Sequence, residues 1–132
     1  MPIMFLLALA QAASSLPAPP AADTWSALPF IPINTLTIDD SATIMRLAAR
    51  RTECRAGVRP MPDGMERLDI DVALLIAPDG RLLRAAAASG PCDAIRQQAQ
   101  ALVNARYRSG ARRPDGPDPA WYRTRLGISW SQ

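Results

Sequence analysis

A chain of 132 residues that is 48% hydrophobic but only 5% aromatic allows one small domain with a modest core. It has no histidine, which removes Ser–His and Cys–His nucleophilic catalysis and the commonest zinc ligand. The net charge of +3 comes from interspersed arginines and aspartates, not from the concentrated basic face typical of nucleic-acid binders.

The first residues read as an address. An apolar run from Ile3 to Ala10 is followed by Ala10-Gln11-Ala12, a small-x-small cleavage pattern. The run is too short for a membrane-spanning helix, which needs about 20 apolar residues. Residues 1–12 are therefore expected to be a secretory signal peptide, and the protein periplasmic. The alternative is an uncleaved leader that anchors the chain to the inner membrane. Residues 13–36 hold Pro17, Pro19, Pro20, Pro29 and Pro32 among alanine and serine. Such a segment favours extended conformations and is expected to be flexible. The folded domain is expected over residues 37–132.

Asp39-Asp40-Ser41 is a helix-start pattern. Ile44, Leu47, Ala48 and Arg51 follow at helical spacing, and Gly57 can end the run. This predicts an amphipathic helix over roughly Ser41 to Glu53, with Cys54 at its C-terminal edge. Met61-Pro62-Asp63-Gly64 is a turn. After it, Leu68, Ile70, Val72, Leu74 and Ile76 alternate with Arg67, Asp69, Asp71 and Ala73. That period of two predicts a strand with one buried and one wet face.

Pro78-Asp79-Gly80 turns the chain back. The return stretch LLRAAAA is expected to be the second strand of a hairpin, its alanines leaving room for a helix backbone. Ser89-Gly90-Pro91 breaks it. Pro91 suits the first turn of a second helix, with Ser89 or Gly90 as cap. Cys92, Ile95, Ala99, Leu102 and Val103 then recur on one face. Arg106, Arg108, Arg112 and Arg113 read as a solvated helix end and loop. The last element runs from Trp121 to Trp130. Tyr122, Leu126, Ile128 and Trp130 face one way; Arg123, Arg125 and Ser129 face the other. Outward arginines suit an edge strand.

The predicted fold is α+β: a small antiparallel three-stranded sheet, made of the hairpin plus the C-terminal strand, with two helices on one face. Cys54 and Cys92 fall at helix ends over the same sheet. An even cysteine count in an exported small domain points to a disulfide between them. Asp69 and Asp71 share the wet face, roughly 7 Å apart by strand geometry. Paired carboxylates can do acid–base work or hold a cation. Two solvated carboxylates facing arginines of the next strand are the simpler reading. No phosphate loop, nucleophile elbow or metal-ligand cluster occurs. The expectation is a protein that is not an enzyme and takes no cofactor and no metal.

The strand–turn–strand Leu68 to Leu83, then Ser89-Gly90, the small and aliphatic helix Ala94 to Ala105, Tyr107, a Gly-Pro loop and the terminal strand Leu126 to Trp130 follow one another in a characteristic order. In that order the chain resembles the C-terminal domain of TonB-type energy transducers, over about Ser41 to Trp130. The resemblance implies a periplasmic protein-binding domain that pairs an extended segment of an outer-membrane receptor as an extra strand in energy-coupled transport. Carried over here, the partner-binding edge strand is Tyr122, Arg123, Thr124, Arg125 and Leu126. The partner is a protein or extended peptide, with a homodimer through the same edge as a further option and no nucleic acid. The leader and tail are shorter than in those transducers, which leaves open whether the chain transduces energy or only binds. A disulfide-stabilised structural envelope domain without transducer activity is the alternative.

Overall fold

The structure, a computed structural model, describes residues 16–32, 46–88, 92–107 and 112–131. The expected signal peptide, the helix start at Asp39 to Ser41 and the Ser89-Gly90-Pro91 break lie outside these residues. The fold is α+β, as expected. Four antiparallel strands form one sheet: β1 (Arg59–Pro60), β2 (Met65–Ile76), β3 (Leu82–Ala87) and β4 (Ala120–Ser131). β2 is the spine. β4 pairs with it along its whole length, from Met65↔Ser131 to Ile76↔Ala120. On the other side, β3 takes the downstream half of β2 and the two-residue β1 the upstream end. One long helix follows β3, α1 (Asp93–Arg106).

The same turn is used at both ends of β2. In Met61–Met65, the Gly64 N–H donates to the Met61 carbonyl, the Met61 N–H to the Met65 carbonyl, and the Met65 N–H to Asp63 Oδ1. Ala77–Arg81 repeats all three bonds, with Gly80, Ala77, Arg81 and Asp79 in the corresponding places. Proline presets the turn, aspartate holds the following amide, and glycine takes the positive φ, 82° at Gly64 and 91° at Gly80. Tyr107, just past α1, donates its hydroxyl to the Gly80 carbonyl at 2.8 Å. Burial pushes the Tyr107 phenol above its usual range, so it remains a protonated donor at neutral pH.

The core lies between the sheet and α1. Leu68, Ile70, Val72, Leu74 and Ile76 of β2 meet Ile95, Ala99 and Val103 of α1, with Tyr122, Leu126, Ile128 and Trp130 of β4 completing the layer. α1 packs chiefly over β3. The cross-strand pairs Val72↔Ala87 and Leu74↔Ala85 put alanines beneath it. A short side chain there lets the helix backbone come close, which accounts for the run of alanines.

Cys54 and Cys92 form a disulfide, with Cα atoms 4.9 Å apart. Their local settings differ from expectation. The helical residues 46–49 end at Arg50, and Arg51 turns extended at ψ 138°. Cys54 therefore sits in a separate 3-10 helix, Thr52–Gly57, and not on the edge of the α-helix. Cys92 is the N-cap of α1 with an extended backbone (φ −159°, ψ 159°), not a first-turn residue. Leu47 is 55% exposed, while Ala49 is buried. The crosslink and the short 3-10 connection, not the aliphatic spacing, set which face of this helix turns inward.

The expected flexible tail is also corrected. Residues 16–32 are part of the folded body. Trp25 is 6% exposed within a 3-10 helix, Ala22–Ala27, and donates its indole N–H to the Pro20 carbonyl. Ile31 joins the main core. The reason appears on β2, whose alternation stops after Val72. Ala73 and Leu75 lie on the supposedly wet face, yet both are 0% exposed. Arg123, opposite Ala73 on that same face, donates to the Leu28 carbonyl at 3.1 Å and lies over the Phe30 ring. The N-terminal segment thus lies against this end of the sheet, where apolar residues on both faces need cover.

Truncations along β2 should report these layers in urea denaturation. Ile70→Ala, Val72→Ala and Leu75→Ala should each cost about 2–4 kcal/mol, and Asp71→Ala less than about 1 kcal/mol. A cheap Leu75→Ala would show that the second face is not packed. Removing both cysteines as Cys54→Ser/Cys92→Ser opens a loop with a sequence separation of 38. The expected loss is about 3–4 kcal/mol in the chain-entropy picture.

Candidate functional site

The two wet-face carboxylates are neutralised where they stand. Asp71 Oδ1 accepts from Arg125 Nε at 2.8 Å, and Asp71 and Arg125 are direct cross-strand partners. This hydrogen bond, with the carboxylate's charge, pushes the Arg125 guanidinium further up. Asp69 accepts from Arg67 Nε at 3.1 Å and also from Arg59. Opposite Asp69 is Gly127. A side chain there would meet the Arg67 guanidinium, so glycine lets the Arg67–Asp69 pair lie flat across the sheet. With both carboxylates matched to arginines, the pair is built for strand registration. Among the described residues no group of three or more metal-ligating side chains occurs, and no helix is long and apolar enough to cross a membrane.

The expected partner strand lies at the sheet edge, and its five residues do not act alike. Tyr122, Thr124 and Leu126 turn their side chains into the core, and Thr124 is 1% exposed. Their backbone groups point to β2. Arg123 and Arg125 have the opposite orientation, which two hydrogen bonds establish. The Arg123 N–H donates outward to the Pro29 carbonyl at 2.9 Å. Asp71, cross-strand from Arg125, uses its carbonyl on the β3 side, accepting from the Ala88 N–H at 2.9 Å. Backbone groups in a strand alternate in direction, so Arg125, Gly127 and Ser129 share the outward orientation of Arg123.

Part of that edge is already taken. Pro29 to Ile31 lies beside Arg123 in parallel orientation; the Ile31 N–H returns a bond to the Arg123 carbonyl at 2.8 Å. At the far end, Arg46 reaches the Ser131 carbonyl at 3.4 Å. Between these points, the outward groups of Arg125, Gly127 and Ser129 have no partner among the described residues. The candidate site is this window. Its exposed side chains are Arg125 and Ser129, and Gly127 between them lies under the Arg67 guanidinium.

Of the five residues expected at the edge, Arg123 and Arg125 turn their backbone groups outward, an orientation that Gly127 and Ser129 share, while Tyr122, Thr124 and Leu126 turn theirs to β2 and their side chains into the core. Side-chain alternation was visible, but the outward amides could be identified only after β2 was known to pair with β4. Thr124 Oγ1 adds a buried hydroxyl without a partner among the described residues.

Comparison with family models, with curated proteins and with solved structures finds no match. The assignment of a site therefore rests on the geometry of this chain.

Proline substitutions separate the two orientations. Thr124→Pro removes a ladder bond to β2 and is expected to unfold the protein, at a cost of about 3 kcal/mol or more. Arg125→Pro removes only an outward N–H and should leave a native circular-dichroism spectrum. Thr124→Val, which deletes the unpartnered hydroxyl at constant shape, should be neutral or stabilising by about 1 kcal/mol in thermal melts. Equal damage from both prolines would mean that the strand's orientation is misassigned.

Proposed function

We propose that this is an exported, periplasmic protein-binding domain of the TonB C-terminal kind. It pairs an extended segment of a partner, such as an outer-membrane receptor, with the edge of β4, whose outward groups at Arg125, Gly127 and Ser129 have no partner among the described residues. The observation that carries this reading is the window at Arg125, Gly127 and Ser129. It offers outward backbone groups on a twelve-residue strand beside a point where the chain already accepts an extended segment. In strand addition the backbone supplies affinity and the side chains tune it. The Cys54–Cys92 disulfide suits an oxidising compartment such as the periplasm.

A second reading has its own support. Pro29 to Ile31 covers the upstream part of the edge, as a structural envelope domain would cover a strand to prevent unwanted pairing. The two readings diverge in one titration. The probe is an acetylated, amidated six-residue peptide of alternating valine and threonine. N-methyl groups on one edge prevent it from pairing with itself. The binding reading expects the amides of Arg125, Gly127 and Ser129 to shift in NMR spectra, with a Kd below about 1 mM. It also expects Arg125→Pro to abolish binding, and Arg125→Ala to keep most of it. Absence of binding at millimolar peptide would favour the structural domain.

A further inference from the structure

We propose that a cleft of arginines at the downstream end of β4 receives a carboxylate carried by the peptide that pairs with this strand. The proposal rests on the edge reading above and names the chemistry of the partner.

The cleft has a volume of about 270 Å³ and is lined by Arg46, Arg50, Arg55, Glu66 and Trp130. Three guanidiniums face one carboxylate. Glu66 is already engaged, 3.3 Å from Arg55. Arg46 and Arg50 make no ion pair among the described residues. Arg46 Nε is buried without a hydrogen-bond partner, and its Nη1 has only a long contact, 3.4 Å, to the Ser131 carbonyl. A buried guanidinium N–H without an acceptor is costly, and a carboxylate is the acceptor that matches its fork. Trp130 forms an apolar wall on one side, which strengthens such a pairing by excluding water.

Position connects the cleft to the edge. Ser131 is an odd-numbered residue of β4, in phase with Arg123, so its carbonyl points outward. Arg46 reaches that carbonyl and so stands where the open window ends. Pro29 to Ile31 shows the direction that this edge accepts, parallel to β4. A partner strand running the same way begins after Arg123 and has its downstream end beside Arg46 and Arg50. A negative group at that end meets positive charge that has no ion-pair partner among the described residues. A neutral end leaves the buried Arg46 N–H unpaired.

The carboxylate can come from a chain terminus or from an acidic side chain. Three versions of the six-residue valine–threonine probe separate these sources. One ends in an amide, one in a free carboxylate, and one in glutamate with an amidated terminus. Calorimetry on the full chain should find at least one carboxylate form binding about tenfold tighter than the amide. Whichever form wins identifies the source. The Arg46 Nε–H resonance should move with that form only. Arg46→Gln, or the milder change Arg50→Gln at an exposed position, should reduce the preference to under about twofold while the amide peptide binds as before.

If the β4 amides shift equally with all three peptides and the Arg46 resonance does not move, the carboxylate site is overturned and the edge reading stands. If no peptide shifts the β4 amides, both are overturned.

Discussion

β2 hydrogen-bonds to β4 over its full length, and this ladder sets the position of everything else. Antiparallel register puts Asp71 opposite Arg125 and Asp69 opposite Gly127. It lines up Leu68, Ile70, Val72 and Leu74 with Ile128, Leu126, Thr124 and Tyr122 on the buried face. A slip of β4 by one residue would turn its apolar set into solvent and separate the Asp71–Arg125 pair. Two identical Pro-Asp-Gly turns bracket β2, so both of its ends are held by local hydrogen bonds. With the ends set, β4 has one register that buries all its alternate residues.

The layer above the sheet is thin for a physical reason. Alanines at 85 and 87 let α1 settle close to β3, which brings Ile95, Ala99 and Val103 into full burial. A core built from small side chains buries less apolar area per residue, so other restraints matter more. The Cys54–Cys92 bridge is one. It ties the 3-10 connection after the first helical segment to the N-cap of α1. The Tyr107–Gly80 hydrogen bond is another, holding the opposite end of α1 to the hairpin turn. The helix is thus restrained at both ends while its middle packs.

The N-terminal segment gives the sheet its second partial layer and shapes the edge. Its proline-rich composition favours an extended chain without internal hydrogen bonds. Such a chain can still donate and accept at an exposed strand, and Pro29 and Ile31 do so with Arg123. Proline at position 29 contributes a carbonyl and needs no N–H. The segment lies against Arg123, and among the described residues the outward groups of Arg125, Gly127 and Ser129 have no partner.

By itself the sequence determined the hairpin strands β2 and β3, the C-terminal strand β4, the turns, α1 and the disulfide. Their causes are local: alternation at period two, Pro-Asp-Gly chemistry, aliphatic spacing, and an even cysteine pair. Its outward arginines alternating with core residues also marked the C-terminal strand as an edge strand. Three features were decided only by tertiary structure. The docking of residues 16–32 depends on an apolar pair, Ala73 and Leu75, whose exposure no local pattern reveals. The inward face of the helical residues 46–49 depends on where the disulfide and the Thr52–Gly57 turn hold them. The open amides of β4 depend on which side of the strand faces β2. Side-chain alternation reports what a strand shows above and below the sheet. The direction of its backbone bonds acquires meaning only when a neighbouring strand is in place.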